Sequence, residues 1–178
     1  DFSVIMMSLI TGSFYMKRDY HNITRLFYPG SIKEGESLVV HSKEDMHHLI
    51  SVLRLKIGSK IRIFNQESGE WLAEVKDIHK KNGIEIMALQ SLRDASAYKD
   101  HDITVAFAII KPHRLQILLE KCTEIGATAF VPILTERTMF KNTNTNKLSI
   151  YTRSAAEQSE RLSVPEIKEV MSLKSLCE

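Results

Sequence analysis

The hydrophobic pattern is clearest between Ile103 and Arg137, where it predicts a strand, a helix and a second strand. The apolar run Ile103 to Ile110 is typical of a strand buried on both faces, as in parallel sheets. Pro112 suits a first helical turn, and Gly126 suits a left-handed C-terminal cap. With a second apolar run from Ala129 to Leu134, this order predicts a βαβ unit with parallel strands. One buried face of the helix is predicted by the spacing of Leu115, Leu118, Leu119 and Cys122.

Polar side chains follow both predicted strands, at the edge where open parallel sheets hold their ligands. They are Lys111, Pro112, His113 and Arg114 after the first strand, and Thr135, Glu136 and Arg137 after the second. We therefore expect a binding site at this edge. The alternative, that these are solvated loop charges, stays open because loops carry both function and solubility.

A different pattern covers Arg25 to Leu92, where five short segments alternate with turn signals and predict strands. One helix interrupts them, with Ser42 as its N-cap and Asp45 three residues later. Antiparallel strands with one inserted helix indicate a small β-barrel, a shape often used to hold RNA. The apolar face of the helix is predicted to comprise Met46, Leu49, Ile50, Leu53 and Ile57, and a basic stripe that could meet phosphates comprises Arg54, Lys56, Lys60 and Arg62.

The polar segment from Arg93 to Asp102 separates the two patterns, and we place the domain boundary there. The predicted organisation is an extension without assigned fold in residues 1–20, a barrel in residues 21–95 and an α/β part in residues 100–178. After Arg137, Asn146 is expected to cap a helix that runs to about Leu162. A short strand is expected over residues 166–170, and Ser172 is expected to cap a last helix.

Composition is that of a globular protein: 43% of the residues are hydrophobic and the formal net charge is +2. Any nucleic-acid surface must therefore be local. The two cysteines, Cys122 and Cys177, form neither a disulfide framework nor a zinc motif, which favours a reducing, cytoplasmic location. The apolar stretch at the start is too short to span a bilayer, so no membrane association is expected.

Cofactor motifs of the GxGxxG, GxxxxGK and HExxH types are absent from the sequence. All seven glycines lie at or before Gly126, so the last part of the chain offers no glycine for wrapping a nucleoside cofactor. We expect no metal site, and His47 and His48 are interpreted as structural or exposed histidines rather than ligands. Cys122 is interpreted as a packed residue, not a nucleophile.

Four segments in order resemble the bacterial 16S rRNA uracil-N3 methyltransferases, which are SPOUT-class enzymes with an N-terminal PUA-like barrel. The segments are HHLISVLRLKIGSKIRIFN (His47 to Asn65), LLEKCTEIGA (Leu118 to Ala127), FVPILTERT (Phe130 to Thr138) and AAEQSERLSVPEI (Ala155 to Ile167). The resemblance implies an α+β and α/β fold: a PUA-like β-barrel followed by the first part of a SPOUT-type parallel α/β domain. The family's C-terminal trefoil knot, which holds the methyl donor, has no counterpart here, so we expect a chain truncated before it.

Site residues follow from the resemblance position by position. It implies RNA-binding roles for His48, Arg54, Lys111, Glu157 and Gln158, and places Lys121, Glu124, Glu136 and Arg137 in the βαβ core. Lys121 and Glu124 could equally lie on a solvated helix face. Arg137 or Arg161 is the expected catalytic cation. Three positions depart from the family pattern: Ser59 stands in place of Asp, and Gln66 and Glu160 stand in place of glycine.

The implied function of the complete enzyme is methylation of N3 of a specific uridine in 16S rRNA, with S-adenosylmethionine as donor. The implied partners are the small ribosomal subunit and a second copy of the enzyme. No cofactor-binding residue is expected in this chain, which alone is expected to be inactive and to associate through uncovered apolar surface. Two alternatives stay open: an RNA-binding module, or an inactive fragment.

Overall fold

A computed structural model of the chain describes residues 20–79, 82–97, 101–138 and 143–177. The expected extension over residues 1–20 lies almost wholly outside the described residues. The chain divides into two compact units, one up to Asp94 and the other from Ala95 onward. This division falls inside the polar segment Arg93 to Asp102, and each unit has its own hydrophobic core. Within the described ranges no helix has the length and apolar character needed to cross a membrane.

The first unit is built on a five-stranded sheet, and the five predicted strand segments are confirmed. The strands are β1 (Arg25–Phe27), β2 (Ser37–Val40), β3 (Lys60–Asn65), β4 (Gly69–His79) and β5 (Gly83–Arg93). Their hydrogen-bonded order is β1-β3-β4-β5-β2, with β1 parallel to β3 and all other pairs antiparallel. Apolar residues of all five strands contribute to one hydrophobic core.

The turn between β4 and β5 depends on Gly83, whose φ is +112°. A Cβ at this position would also lie 2.7 Å from the Val40 carbonyl oxygen of β2. Glycine is therefore required twice, once for the left-handed backbone and once for the close approach of β2.

The helix of the first unit is shorter than its apolar spacing predicted. Helix α1 spans Lys43–His47 and continues as a π-helical turn, His48–Val52. Ser42 caps it as predicted, since its hydroxyl accepts a hydrogen bond from the Asp45 N–H. The prediction that Ile57 belongs to the buried helix face is wrong: Ile57 follows the helix and is 65% exposed.

The second unit contains the predicted βαβ arrangement. Its elements are β6 (Thr104–Ala108), α2 (Pro112–Glu124), β7 (Ala129–Leu134), α3 (Thr145–Gln158), β8 (Glu166–Ile167), β9 (Met171–Ser172) and α4 (Leu173–Cys177). β6 and β7 pair in parallel, as predicted, and β8 and β9 both pair in parallel with β7. Together the barrel-like unit and this parallel α/β unit confirm the predicted fold class.

The packing of helix α2 and its C-terminal cap involve the residues that the sequence predicts. Leu115 and Leu119 are buried, and Leu118 and Cys122 pack against the same core. Gly126 has a φ of +110° and closes a Schellman motif, because its N–H donates to the Thr123 carbonyl and the Ala127 N–H donates to the Cys122 carbonyl.

Three details of the second unit differ from the prediction. β6 is not buried on both faces: of its five residues only Phe107 is buried, and Ile103 just before it is 43% exposed. Helix α3 is capped by Asn144 rather than Asn146, since the Asn144 side chain accepts from the Lys147 N–H. The strand expected over residues 166–170 forms only at Glu166–Ile167, and a separate short strand follows at Met171–Ser172. Ser172 caps α4 as predicted, since its hydroxyl accepts from the Ser175 N–H.

Candidate functional site

The parallel pairing of β6 and β7 brings the two polar segments to one edge of the sheet. A cleft of about 400 Å³ opens there. Its polar lining comprises Lys111 and Arg114 from the start of α2, and Thr135, Arg137 and Thr138 from the end of β7. The cleft is thus built from residues about 20 positions apart in sequence, and its volume lies within the range of small-molecule sites.

Arg137 also lines a second cleft, of about 740 Å³, on the other side of the end of β7. Thr135 is shared between the two clefts as well, whereas Glu136 and Lys174 line only the second. The exposed Arg137 guanidinium therefore lies between two concave surfaces of the same unit. A cation in this position can serve a ligand in either cleft.

The turn after β7 holds the segment that carries Arg137. The Thr138 hydroxyl accepts a hydrogen bond from the Thr135 N–H at 2.8 Å and lies 2.9 Å from the Thr135 hydroxyl. The Thr138 N–H donates back to the Thr135 carbonyl. These contacts close a tight turn whose tip is Glu136 and Arg137, so side-chain hydroxyls fix the backbone on which Arg137 sits.

Arg161, the other expected catalytic cation, lies elsewhere. It is 5% exposed, and one of its terminal nitrogens donates to the carbonyl oxygens of Thr123 at 2.7 Å and Ala127 at 2.6 Å. The other terminal nitrogen donates to the Ser163 hydroxyl at 2.9 Å. Arg161 therefore binds the C-terminal end of α2, and it lines neither of the two clefts described above. A catalytic role for Arg161 gains no support from this position.

Glu157 and Gln158 form the last turn of α3, ahead of Arg161. Glu157 forms an ion pair with Arg153 at 3.6 Å, one helical turn earlier. Gln158 is exposed. Neither residue lines the two clefts at the end of β7, so their expected role in binding RNA stays a prediction.

The expected RNA-binding residues of the first unit, His48 and Arg54, are both exposed. His48 opens the π-helical turn, and the Leu53 N–H donates to its carbonyl. Arg54 has a φ of +55°, a left-handed conformation that costs a non-glycine residue about 1–2 kcal/mol. The chain after the turn thus adopts a strained conformation at Arg54. Such strain is often found at functional positions, which is consistent with a role for the exposed Arg54 side chain.

The basic stripe predicted beside Arg54 is only partly present. Lys56 and Lys60 are exposed, but Arg62 is buried and was wrongly expected to meet phosphates. Arg62 donates to the Glu70 carboxylate and to backbone carbonyls, including that of Ile23.

Glu70 is the centre of a buried ionic cluster that sequence analysis missed. Its carboxylate is paired with Arg25 at 2.7 Å, Arg62 at 3.2 Å and Arg93 at 2.5 Å. The Arg25 guanidinium also lies over the Phe64 ring, and burial lowers the Arg25 pKa while Glu70 raises it. The available signal was the alternation along β1 and β3, which places Arg25 and Arg62 together on the face opposite Leu26, Ile61 and Ile63 of the core. The cluster joins strands β1, β3, β4 and β5.

Cys122 behaves as a packed thiol. Burial raises its pKa, which keeps the unreactive protonated form at neutral pH. Among the residues that the structure describes, no cluster of three His, Cys, Asp or Glu side chains could hold a metal ion.

Comparison with protein families gives two matches that divide the chain as the fold does. An RNA methyltransferase PUA domain matches residues 42–86, and an RNA methyltransferase domain matches residues 97–178. A barrel-like unit followed by a parallel α/β unit with a polar cleft at its strand ends therefore defines a two-part RNA methyltransferase class.

Individual relatives indicate which kind of RNA methyltransferase this chain is similar to. The chain is 31% identical over 149 residues to ribosomal RNA small subunit methyltransferase E of Rickettsia conorii, covering 84% of this chain and 60% of the relative. It is 34% identical to the protein of the same name from Synechocystis, covering 74% of this chain and 43% of that relative. The chain is therefore similar to ribosomal RNA small subunit methyltransferase E proteins over most of its own length. It spans roughly half of the length of these relatives.

A solved structure supports the fold. The methyltransferase E of Neisseria gonorrhoeae, bound to S-adenosyl methionine, superposes with a TM-score of 0.73 at 21% identity. The superposition covers 88% of this chain and 66% of that protein. The fold of the two units, a five-stranded sheet unit followed by a parallel α/β unit, is therefore shared with that structure.

Proposed function

We propose that this chain supplies the RNA-binding unit and the substrate cleft of an enzyme that methylates N3 of a uridine in 16S rRNA. One observation carries the proposal: the cleft at the ends of β6 and β7 gathers Lys111, Arg114 and Arg137 in a chain similar to methyltransferase E proteins. A cationic concave site at the strand ends of a parallel sheet suits a polyanionic substrate.

The chemistry at the base requires a cation. N3 lies on the Watson–Crick edge of uracil, so the base must be unpaired and drawn into a pocket before it can react. N3 must also give its proton to a base, which we do not assign to a residue of this chain, and a nearby positive charge stabilises the resulting uracil anion. We assign this role to Arg137, which is exposed between two clefts, and we assign to Arg161 the task of holding α2 in place.

We propose that the first unit binds parts of the RNA other than the reacting nucleotide. The exposed residues His48, Arg54, Lys56 and Lys60 are close in sequence; His48 opens the π-helical turn and Arg54 follows it. Contacts of this kind with phosphates add affinity and fix register without reading sequence. Glu157 and Gln158 are proposed to approach the RNA from the end of α3.

The methyl donor of the complete enzyme is proposed to be S-adenosylmethionine, the ligand named for the Neisseria relative. The residues of this chain do not fit that group. The two clefts at the end of β7 contain no glycine among their lining residues, and no glycine follows Gly126 in the sequence. We therefore place the donor site outside this chain, in a complete enzyme that forms a homodimer and acts in the cytoplasm on the small ribosomal subunit.

A hybrid protein tests the role of Arg137. It joins this chain to the segment of the Rickettsia conorii relative that follows the matched region. In single-turnover methylation of unmodified 16S rRNA, Arg137→Ala should lower the rate by about 100-fold, the usual effect of losing one group that stabilises a developing anion. Lys121→Ala is the matched control, because it removes one exposed positive charge that is paired with Glu124. Equal rates for the Arg137 variant and the parent hybrid would refute the assignment.

A second candidate function is RNA binding alone, favoured by the absence of a fitting donor cleft in this chain. Both candidate functions place no donor site in this chain. Calorimetric titration of the 178-residue chain with S-adenosylmethionine tests this shared expectation against the alternative of an enzyme that binds the donor by itself. We expect no heat of binding. A saturable heat would show a donor site in this chain and contradict both the placement of the donor site and the module hypothesis.

A further inference from the structure

The entrance of the 400 Å³ cleft has an uneven distribution of charge. Lys111 and Arg114 lie together at the start of α2, three positions apart and both exposed, and both line the cleft. No carboxylate is found among the described residues that line this cleft, and the nearby Glu136 lines the other one. The α2 side of the cleft is therefore cationic, with no carboxylate among its described lining residues.

The backbone of α2 adds to this positive character. Lys111 occupies the N-cap without a side-chain hydrogen bond to the first turn, and Pro112 follows at the first helical position. The helix is 13 residues long, so its positive end points toward the cleft-lining residues at its start. This contribution alone would not define a site, but it acts in the same direction as the two side chains.

We propose that Lys111 and Arg114 together bind one backbone phosphate of the RNA, next to the nucleotide whose base meets Arg137. The inference rests on the proposed function in that the ligand is RNA, and it assigns a specific group of that RNA to specific residues. Arg114 provides a planar fork that matches two phosphate oxygens, and Lys111 provides a compact charge. Arg137, on the end of β7, stays available for the uracil.

A division of this kind serves the reaction. A phosphate contact positions the nucleotide without depending on base identity, whereas the contact that stabilises the uracil anion must act on the base. Binding energy from the phosphate can therefore hold an unstacked nucleotide in the cleft, where unstacking costs a few kcal/mol.

The test measures how salt changes the affinity of the 178-residue chain for RNA. Fluorescence anisotropy with a labelled ten-nucleotide oligouridine gives Kd from 50 to 300 mM NaCl, for the parent chain and for Lys111→Ala, Arg114→Ala and Lys121→Ala. We expect Lys111→Ala and Arg114→Ala to weaken binding roughly fivefold and to reduce the slope of log K against log salt by about 0.7–1. Lys121→Ala should leave both quantities within error, because its exposed ammonium is held by Glu124.

Oligocytidine of the same length distinguishes phosphate from base. Equal losses on both oligonucleotides support a phosphate contact, whereas a loss confined to oligouridine would overturn it in favour of base recognition. An unchanged salt slope, or an equal loss for Lys121→Ala, would also overturn the proposal. Circular dichroism of each variant excludes misfolding, which is not expected because both side chains are exposed.

The outcome is separable from that of the proposed function. The binding measurement requires no methyl transfer, so a hybrid that fails to methylate uridine would refute the reaction and leave the phosphate site standing. A normal methylation rate combined with unchanged salt slopes would do the reverse.

Discussion

Replacing Arg161 by methionine tests whether this residue stabilises the fold or acts in catalysis. Methionine keeps much of the length and apolar volume of the side chain but removes every donor. The variant loses hydrogen bonds to the carbonyls of Thr123 and Ala127 and to the Ser163 hydroxyl. Thr123 and Ala127 both belong to the Schellman motif at the end of α2. The variant therefore loses the buried hydrogen bonds that join this motif to the segment after α3.

The magnitude follows from two opposing effects. Each hydrogen bond from a charged donor contributes about 1.5–3 kcal/mol, so three bonds give roughly 5–9 kcal/mol. Methionine also relieves the cost of burying a charge, which amounts to several kcal/mol. We expect a net loss of about 2–4 kcal/mol. In a unit of this size, 1 kcal/mol corresponds to about 4–8 °C in Tm, so the unit should melt at least 8 °C lower.

The assay can follow each unit separately because the chain has a single tryptophan. Trp71 lies in β4 of the first unit, where its indole N–H donates to the Ser68 carbonyl at 2.7 Å. Urea unfolding followed by tryptophan fluorescence therefore reports the first unit, and helix loss by circular dichroism reports mainly α2 and α3. Arg161→Met should shift the second transition to lower urea and leave the first unchanged. Arg161→Lys, which keeps the charge but not the fork, should fall between.

A stability change below about 0.5 kcal/mol in Arg161→Met would refute this reasoning. It would show that the buried guanidinium contributes nothing net to folding. A loss of methylation in the hybrid without any loss of stability would then return Arg161 to the catalytic candidates.

Three further predictions concern other residues. Glu70→Gln removes the carboxylate that pairs with Arg25, Arg62 and Arg93. The free energy of unfolding of the first unit, measured by urea unfolding with Trp71 fluorescence, should fall by about 3 kcal/mol or more, and a fall of under about 1 kcal/mol would contradict the stabilising role of the cluster. Glu160→Gly should stabilise the second unit by about 0.5–1 kcal/mol by thermal melting, since φ is +57° there, and a destabilisation would show that the glutamate side chain outweighs the strain. Iodoacetamide at pH 8 should modify the exposed Cys177 well before Cys122, because burial raises the pKa of Cys122 and keeps its thiol protonated. Peptide mass mapping that finds Cys122 modified first would refute its assignment as a packed thiol.

Much of the fold could be predicted because local signals and tertiary packing agree. The apolar run of β7, the spacing of Leu115 and Leu119 and the capping glycine Gly126 all indicate the same βαβ unit. Ser42 and Ser172 were identified as caps because a hydroxyl before a helix has a local partner in the first turn. Such signals extend over a few residues and need no knowledge of distant contacts.

Features that depend on distant contacts could not be predicted in this way. The sequence alone does not reveal that Glu70 meets three arginines, because their pairing arises from strand order. The same holds for Arg62: the neighbouring lysines predict an exposed side chain, but its contacts with Glu70 and the Ile23 carbonyl bury it. The π-helical turn His48–Val52 and the left-handed conformation of Arg54 after it are likewise not indicated by the sequence pattern.

The candidate site was predicted in part. The carboxyl ends of β6 and β7 do bring Lys111 and Arg137 to one cleft, because parallel strands end at the same edge. Arg114 was noted only as a member of the polar segment, and the hydroxyl contacts of Thr135 and Thr138 were not foreseen. These depend on how a helix start and a turn face each other across the cleft.

Identification of the methylated nucleoside is the most direct test of the central claim. Unmodified 16S rRNA treated with the hybrid and S-adenosylmethionine would be digested and its nucleosides separated by liquid chromatography with mass spectrometry. We expect 3-methyluridine as the new product, formed at one site. A methyl group on another atom of uridine, or on another base, would contradict it.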